Sequence, residues 1–95
     1  MEQLQIYRDE IDEIDQKIME LLKRRFELIR AVGQLKAEQD LEVIQTERAK
    51  QVIARAGERA SKVGVDADLM RRFYTDLIDV AHVIEFDIRK NYERS

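Results

Sequence analysis

The chain has 95 residues, of which 39% are charged and 44% are hydrophobic, and its net charge is -3. This length predicts one domain, residues 1–95, with a modest core. The acidic balance argues against general nucleic-acid binding, and the absence of cysteine excludes disulfides and thiolate chemistry. With His82 as the single histidine we expect no metal site. We identify no signal peptide and no bilayer-spanning apolar run, so we expect a cytoplasmic protein.

The breaker residues predict an all-α fold. Proline is absent and the chain has three glycines, so we predict three helices joined by short loops. The first runs from about Leu4 to about Lys36. The second begins near Thr46, a plausible N-cap, and ends at Gly64; the third begins at the N-cap Asp66 and runs to about Lys90. The inner stripes of the second and third helices are Val52, Ile53, Ala56, Ala60 and Val63, and Met70, Tyr74, Leu77, Ala81, Ile84 and Ile88.

The first predicted helix carries a heptad repeat. One position of the repeat holds Leu4, Ile11, Ile18, Arg25 and Val32, and a second holds Tyr7, Ile14, Leu21, Leu28 and Leu35. We call these ten residues the seam. Such a helix is roughly 50 Å long, whereas a globule of this size has a radius of gyration near 13 Å. We therefore predict an intertwined homodimer in which the long helices pair. The alternative is a helical dimerisation module with no catalytic activity.

Arg25 is the one charged residue of the seam. A guanidinium there is costly to bury unless an anion meets it. Lys36 lies eleven residues later, about 20° around the helix, so the two side chains share a face and can converge on a ligand. Alternatively, each side chain snorkels to solvent or pairs with a carboxylate of the bundle. Arg8 is roughly 25 Å from Arg25 along the axis, so only an antiparallel partner helix brings an Arg8 beside Arg25.

Glu85 lies on or beside the apolar stripe of the third helix. A carboxyl there is either paired with a base or kept partly protonated by desolvation. Together, several cations and one such acid suit a dianionic small molecule. We interpret His82 as a rim or packing residue. Arg71-Arg72 and Arg89-Lys90 look like solvated helix faces or charges at a helix C-terminus.

Four segments resemble the all-helical (AroQ-type) chorismate mutase family in order and spacing. They are "IYRDEIDEIDQKI", "RRFELIRAVGQLK", "VIQTERAKQVI" and "GVDADLMRRFYTDLI". The resemblance covers nearly the whole chain. It implies an intertwined homodimer of three-helix chains with two equivalent sites. It also implies the [3,3] rearrangement of chorismate to prephenate, a step of aromatic amino acid biosynthesis in the shikimate pathway, with no metal and no cofactor.

The resemblance also implies roles for single residues. Arg8 matches the arginine that reaches into the partner's site to bind a substrate carboxylate, and Arg25 matches the one that binds the other carboxylate. Lys36 matches the lysine that holds a carboxylate and the ether oxygen of the breaking bond. Arg48 matches a supporting arginine. Glu85 falls where most members carry a glutamine that donates to the ether oxygen.

Three positions depart from the usual pattern. Only a protonated Glu85 can donate to the ether oxygen, so we expect activity to fall as rising pH removes that proton. Gln45 and Ala49 stand where many members have acids near the C4 hydroxyl of the substrate. The pair Gln45 and Arg48, with Glu85, is most similar to 4-amino-4-deoxychorismate mutases. Isochorismate-pyruvate lyases also lack those acids but usually keep glutamine at the Glu85 position, so a lyase that yields salicylate is the alternative.

Overall fold

A computed structural model describes residues 2–95 and contains three α-helices. They are α1 (Glu2–Glu38), α2 (Thr46–Lys62) and α3 (Ala67–Arg94). The all-α prediction is therefore confirmed. The bounds predicted for the first helix lie within two residues of those observed. The third helix continues past the predicted end at Lys90 as far as Arg94.

The end of α1 is closed by its own backbone. The amide of Leu41 donates to the carbonyl of Lys36 at 2.8 Å, and the amide of Asp40 donates to that of Ala37 at 3.4 Å. This is a Schellman arrangement, which needs a left-handed residue and usually has glycine there. Here that residue is Asp40, with φ of 54°. The loop of residues 39–45 starts from this turn and leads into α2.

The caps of α2 and α3 follow the sequence signals with one exception. The predicted N-cap Thr46 is wrong: Thr46 is the first helical residue, and Gln45 is the N-cap, in an extended conformation and without a side-chain capping bond. The Gln45 amide instead donates to the carbonyl of Glu42 at 3.3 Å. At the other end α2 ends at Lys62, two residues before the predicted end, and Gly64, with φ of 75°, follows the C-cap Val63. Asp66 caps α3 by accepting from the amide of Leu69 at 2.8 Å.

Both α1 and α2 pack against α3, and they do not pack against each other. The face of α1 toward α3 carries half-buried and buried residues at helical spacing: Leu22, Phe26, Ile29, Gly33 and Ala37. At Gly33 an added Cβ would lie 3.1 Å from both the Glu85 side chain and the Ile88 side chain. The missing side chain therefore lets the two helices approach closely at the level of Glu85.

The core of one chain is small. Its buried apolar residues are mostly alanines, with Val43 and Leu77, and none of the large side chains among residues 2–95 is fully buried. The prediction that Val63 belongs to the inner stripe of α2 is wrong, because Val63 is the C-cap of that helix and is 75% exposed. The molecule measures 58 × 27 × 14 Å, with a radius of gyration of 17.1 Å. It is thus a slab too thin to enclose its apolar side chains.

The seam of α1 lies outside this core. Its nine apolar members are between 41% and 71% exposed. Arg25, the tenth member, is half-buried beside α2 and α3. The single charged position of the repeat is thus the only seam position, within the described chain, that faces into its own fold.

Candidate active site

A cavity of about 200 Å³ opens in the space between α1 and α2, with α3 as its floor. All three helices and the loop of residues 39–45 contribute to its wall. The polar side chains that line it are Arg25, Lys36, Gln45, Arg48, His82 and Glu85. Six site residues were predicted from the sequence, and all of them except Arg8 therefore line this one cavity.

Lys36 extends from the last turns of α1 into this cavity. Its Nζ donates to Oε1 of Glu85 at 2.6 Å and to the carbonyl oxygen of Val43 at 2.7 Å. An ammonium group has three N–H donors, and described residues use two of them. The third donor is available to a ligand in the cavity.

Glu85 is the most buried charged residue of the described chain, with 3% of its surface exposed. Of the two alternatives open from the sequence, pairing with a base is the one observed, since Lys36 forms an ion pair with it. A buried pair of this kind is stable only while both partners are present, because either charge alone would be desolvated without compensation. Lys36 and Glu85 therefore act as a unit.

Arg25 is held differently. Its guanidinium carbon lies 5.5 Å from the centre of the Tyr74 ring, which is a cation–π contact. Its Nη1 is buried and has no hydrogen-bond partner among residues 2–95. The alternative, in which a carboxylate of the bundle pairs with Arg25, is not observed for any described acid. A buried, unpaired donor of this kind is rare in proteins and often marks a functional position.

Arg48 and Gln45 stand at the start of α2. Arg48 donates to the Gln51 side chain at 2.9 Å, and the remaining N–H groups of its guanidinium have no recorded partner in the described chain. Both residues are exposed at the mouth of the cavity. They can therefore contact a bound molecule without first breaking a buried interaction.

The cavity is strongly positive for a chain that carries net negative charge. Arg25, Lys36 and Arg48 face one carboxylate, Glu85, so the lining has a surplus of two positive charges with His82 neutral. A wider groove of about 390 Å³ continues from it along α2 and adds Arg55 and Arg59. An anion is therefore attracted toward the cavity from outside.

Arg8 lies far from this cavity. It is exposed on the N-terminal half of α1 and does not line the cavity within one chain. Its predicted contribution to a partner's site therefore stays a prediction.

One interpretation from the sequence is wrong. Arg89 does not lie on a solvated helix face, because its side chain is only 22% exposed and crosses from α3 to the end of α1. It does act as a charge at a helix C-terminus, but at that of α1. Hydrogen bonding to Glu93, and secondarily the charge of Asp40, raises the pKa of this guanidinium above its ordinary value. The spacing of four residues from Glu85 was the available signal, since it places both side chains on one face of α3. The Val43 carbonyl, by contrast, has no signature in the sequence.

Residues 2–95 contain no group of three or more histidine, cysteine or acidic side chains placed to hold a metal ion. No helix of this part is long and apolar enough to cross a bilayer.

The chain is similar in sequence to a known protein family. The family model described as chorismate mutase type II matches residues 7–85. A T-protein of Enterobacter agglomerans is 34% identical over 68 residues, which are 72% of this chain and 18% of that protein. A T-protein of Haemophilus influenzae is 35% identical over 77 residues, covering 77% of this chain and 20% of that protein. The chain thus spans about a fifth of the length of these curated relatives.

Proposed function

Because the chain belongs to the chorismate mutase type II family, we propose that its cavity binds chorismate, or 4-amino-4-deoxychorismate, and rearranges it to prephenate or the 4-amino analogue. This makes the chain an isomerase of the chorismate mutase type that uses no cofactor. The observation that carries the proposal is the unpartnered Nη1 of Arg25, buried in the same cavity wall as the Lys36–Glu85 pair. Together they form a preorganised receptor for a small molecule with two negative charges.

The reaction is an internal exchange of bonds. The ether C–O bond of the substrate breaks while a C–C bond forms, and the electrons shift around one six-membered ring of atoms. No nucleophile attacks and nothing is oxidised or reduced. Partial negative charge builds on the ether oxygen as its bond lengthens, so donors aimed at that oxygen stabilise the transition state more than the substrate.

The cations of the cavity have distinct tasks in this scheme. Arg25 binds one carboxylate with its planar fork, which satisfies the buried Nη1. Lys36 directs its available N–H to the other carboxylate and the ether oxygen, as a compact charge. Arg48 supports the ligand from the mouth of the cavity. Fixing both ends of the substrate holds its flexible side arm in the folded conformer that reacts.

Glu85 acts in its neutral form in this scheme. An ionised carboxylate would repel the ether oxygen, whereas a protonated one donates a hydrogen bond to it. Lys36 keeps its bond to Oε1 of Glu85, and the protonated Oε2 donates to the ether oxygen.

Gln45 and Ala49 are compatible with either of two substrates, chorismate and 4-amino-4-deoxychorismate. Many family members have acids at these positions, which serve the C4 hydroxyl, but here an amide and a methyl group face the cavity. The Gln45 amide offers both a donor and an acceptor, so it suits a hydroxyl or an amino substituent. Both compounds are therefore candidates, and both react by the same rearrangement.

We also propose that the functional unit is a homodimer. Nine apolar seam side chains remain exposed on α1, and burying each of them contributes on the order of 1 kcal/mol. A second copy of α1 running antiparallel covers these side chains and brings its own Arg8 toward Arg25. That arginine supplies a further contact to a substrate carboxylate.

The experiment is a parallel incubation of the purified protein with chorismate, 4-amino-4-deoxychorismate and isochorismate. Products are identified by liquid chromatography with mass spectrometry, and pyruvate is measured separately. We expect chorismate or its 4-amino analogue to be consumed without release of pyruvate. Release of pyruvate and salicylate from isochorismate would identify the lyase instead. No turnover of any compound by a folded dimer would identify a non-catalytic dimerisation module.

A further inference from the structure

Arg89 connects α3 to the segment that carries Lys36. It lies one turn after Glu85 and reaches the end of α1 with all three of its nitrogens engaged. Nη1 donates to the carbonyl of Leu41 at 2.8 Å and more weakly to that of Lys36 at 3.5 Å. Nη2 forms an ion pair with Asp40, and Nε donates to Glu93 at 2.9 Å. One side chain thus holds two carbonyls and a carboxylate at the close of α1.

The turn that Arg89 holds is an unfavourable one. Asp40 adopts a left-handed conformation with φ of 54°, which residues other than glycine seldom occupy. The ion pair with Arg89 is a contact between Asp40 and another helix that favours this conformation. Without Arg89, the turn is held by the backbone bonds of the Schellman arrangement alone.

Both the backbone carbonyl and the side-chain Nζ of Lys36 contact the same turn and the loop that follows it. Its carbonyl accepts from Leu41 and Arg89, while its Nζ donates to the Val43 carbonyl two residues further along the loop. Displacement of the loop therefore moves a direct partner of the Nζ. It also moves Gln45, which lies on the same loop and lines the cavity.

We propose that Arg89 is a positioning residue, which fixes the turn after α1 so that the Lys36 ammonium points at the reacting atoms. Glu85 and Arg89 then act as a pair on one face of α3: Glu85 fixes the side chain of Lys36, and Arg89 fixes its backbone. The kinetic part of this inference rests on the proposed mutase function, and the structural part does not.

The test compares Arg89→Gln with Arg94→Gln in the full chain. Arg94 is an exposed arginine in the last turn of the same helix, so the control removes the same charge and the same shape. We expect kcat to fall about tenfold in Arg89→Gln with KM changed less than about twofold, because Arg25 still binds the substrate. Arg89→Lys keeps the charge but lacks the fork, so it should recover only part of kcat. The Leu41 amide should exchange its hydrogen faster in Arg89→Gln than in Arg94→Gln.

Three other outcomes would contradict the role proposed for Arg89 or the proposed function. An Arg89→Gln protein with normal kcat and normal Leu41 protection overturns it. A fall in activity that only follows the loss of folded protein, measured by circular dichroism, shows a general structural role and also overturns it. If the unmodified chain turns over none of the three compounds, the proposed function fails, and Leu41 exchange alone decides whether Arg89 holds the turn. Asp40→Gly removes the strain, so in that background Arg89→Gln should change Leu41 exchange less.

Discussion

Lys36 and Glu85 are 49 positions apart in the chain, and their charged groups meet at 2.6 Å inside the cavity. This contact ties the C-terminal part of α1 to the middle of α3. It places a donor and a titratable acid side by side, where the proposed reaction builds up negative charge. The same contact suggests the first of four predictions.

Glu85→Gln should change how activity depends on pH. In the unmodified enzyme, activity should fall as pH rises, because only the protonated carboxyl donates to the ether oxygen. The amide of glutamine donates at every pH, so the variant should keep its activity on the alkaline side. The measurement is kcat/KM against pH for both proteins. A flat profile for the unmodified enzyme would contradict the proposed role of Glu85.

Arg25→Ala should separate function from stability. Loss of the buried carboxylate contact should reduce kcat/KM by a factor of about a hundred or more, on the order of 3 kcal/mol. The free energy of unfolding should change little, because loss of the cation–π contact with Tyr74 is offset by removal of a buried Nη1 that has no partner in the folded chain. Steady-state kinetics and denaturant unfolding measure the two effects.

Arg24→Ala is the matched control for Arg25→Ala. Arg24 is the neighbouring arginine on α1, exposed to solvent and paired only with Glu27 at the surface. It should leave kcat/KM unchanged. Equal losses of activity in both variants would show that Arg25 has no specific role.

Gly33→Ala should disturb the site through the packing of α1 on α3. The new methyl group would meet the Glu85 and Ile88 side chains at 3.1 Å and the Glu85 backbone at 3.3 Å, so these groups must shift by a few tenths of an ångström. We expect a loss of stability of about 1–3 kcal/mol and a fall in kcat, because the shift disturbs the contact between Glu85 and Lys36. Thermal unfolding and kinetics provide the two readouts.

Gly64→Ala distinguishes this effect from general destabilisation. Gly64 has a positive φ and open space around it, so alanine should lower stability by about 1 kcal/mol through strain alone. Its kcat should be that of the unmodified enzyme. A kcat that falls equally in both glycine variants would show that stability, and not the geometry at Glu85, limits activity.

Arg8→Ala and Lys36→Ala chains should complement each other when mixed. In a heterodimer one cavity receives both defects and the other receives neither. Random exchange of equal amounts should therefore return about a quarter of the activity per cavity, since half of the dimers have one intact site out of two. Each variant alone should be nearly inactive. Failure to regain activity after unfolding and refolding together would exclude a shared site.

The periodic features of the chain could be predicted from its sequence. The heptad repeat gave the long first helix, because a sustained apolar period is a strong signal. The rotation of about 20° between Arg25 and Lys36 follows from helix geometry alone, and both line one cavity. Asp66 was predicted as a cap because its short carboxylate suits that position, and it does cap α3.

Features that depend on contacts between distant segments could not be predicted in this way. Threonine is a residue type that often caps helices, but the N-cap of α2 is Gln45 and not Thr46. Arg89 has the pattern of a solvated residue, yet a loop from the other end of the fold meets it. The Val43 carbonyl is a backbone group that nearly every residue has, so its bond to Lys36 cannot be predicted from residue type. For Arg89 and the Val43 carbonyl, tertiary structure and not local preference decides the partner.

Since α1 and α2 each pack against α3 and not against one another, the cavity has two walls built from different helices. Lys36 and Glu85 occupy one wall and the floor, whereas Gln45 and Arg48 sit on the opposite wall. Substitutions on α2 can thus retune which ring substituent is accepted while the bond-breaking apparatus stays intact. Such a division gives evolution, or a protein engineer, a route to new substrates that does not pass through an inactive intermediate.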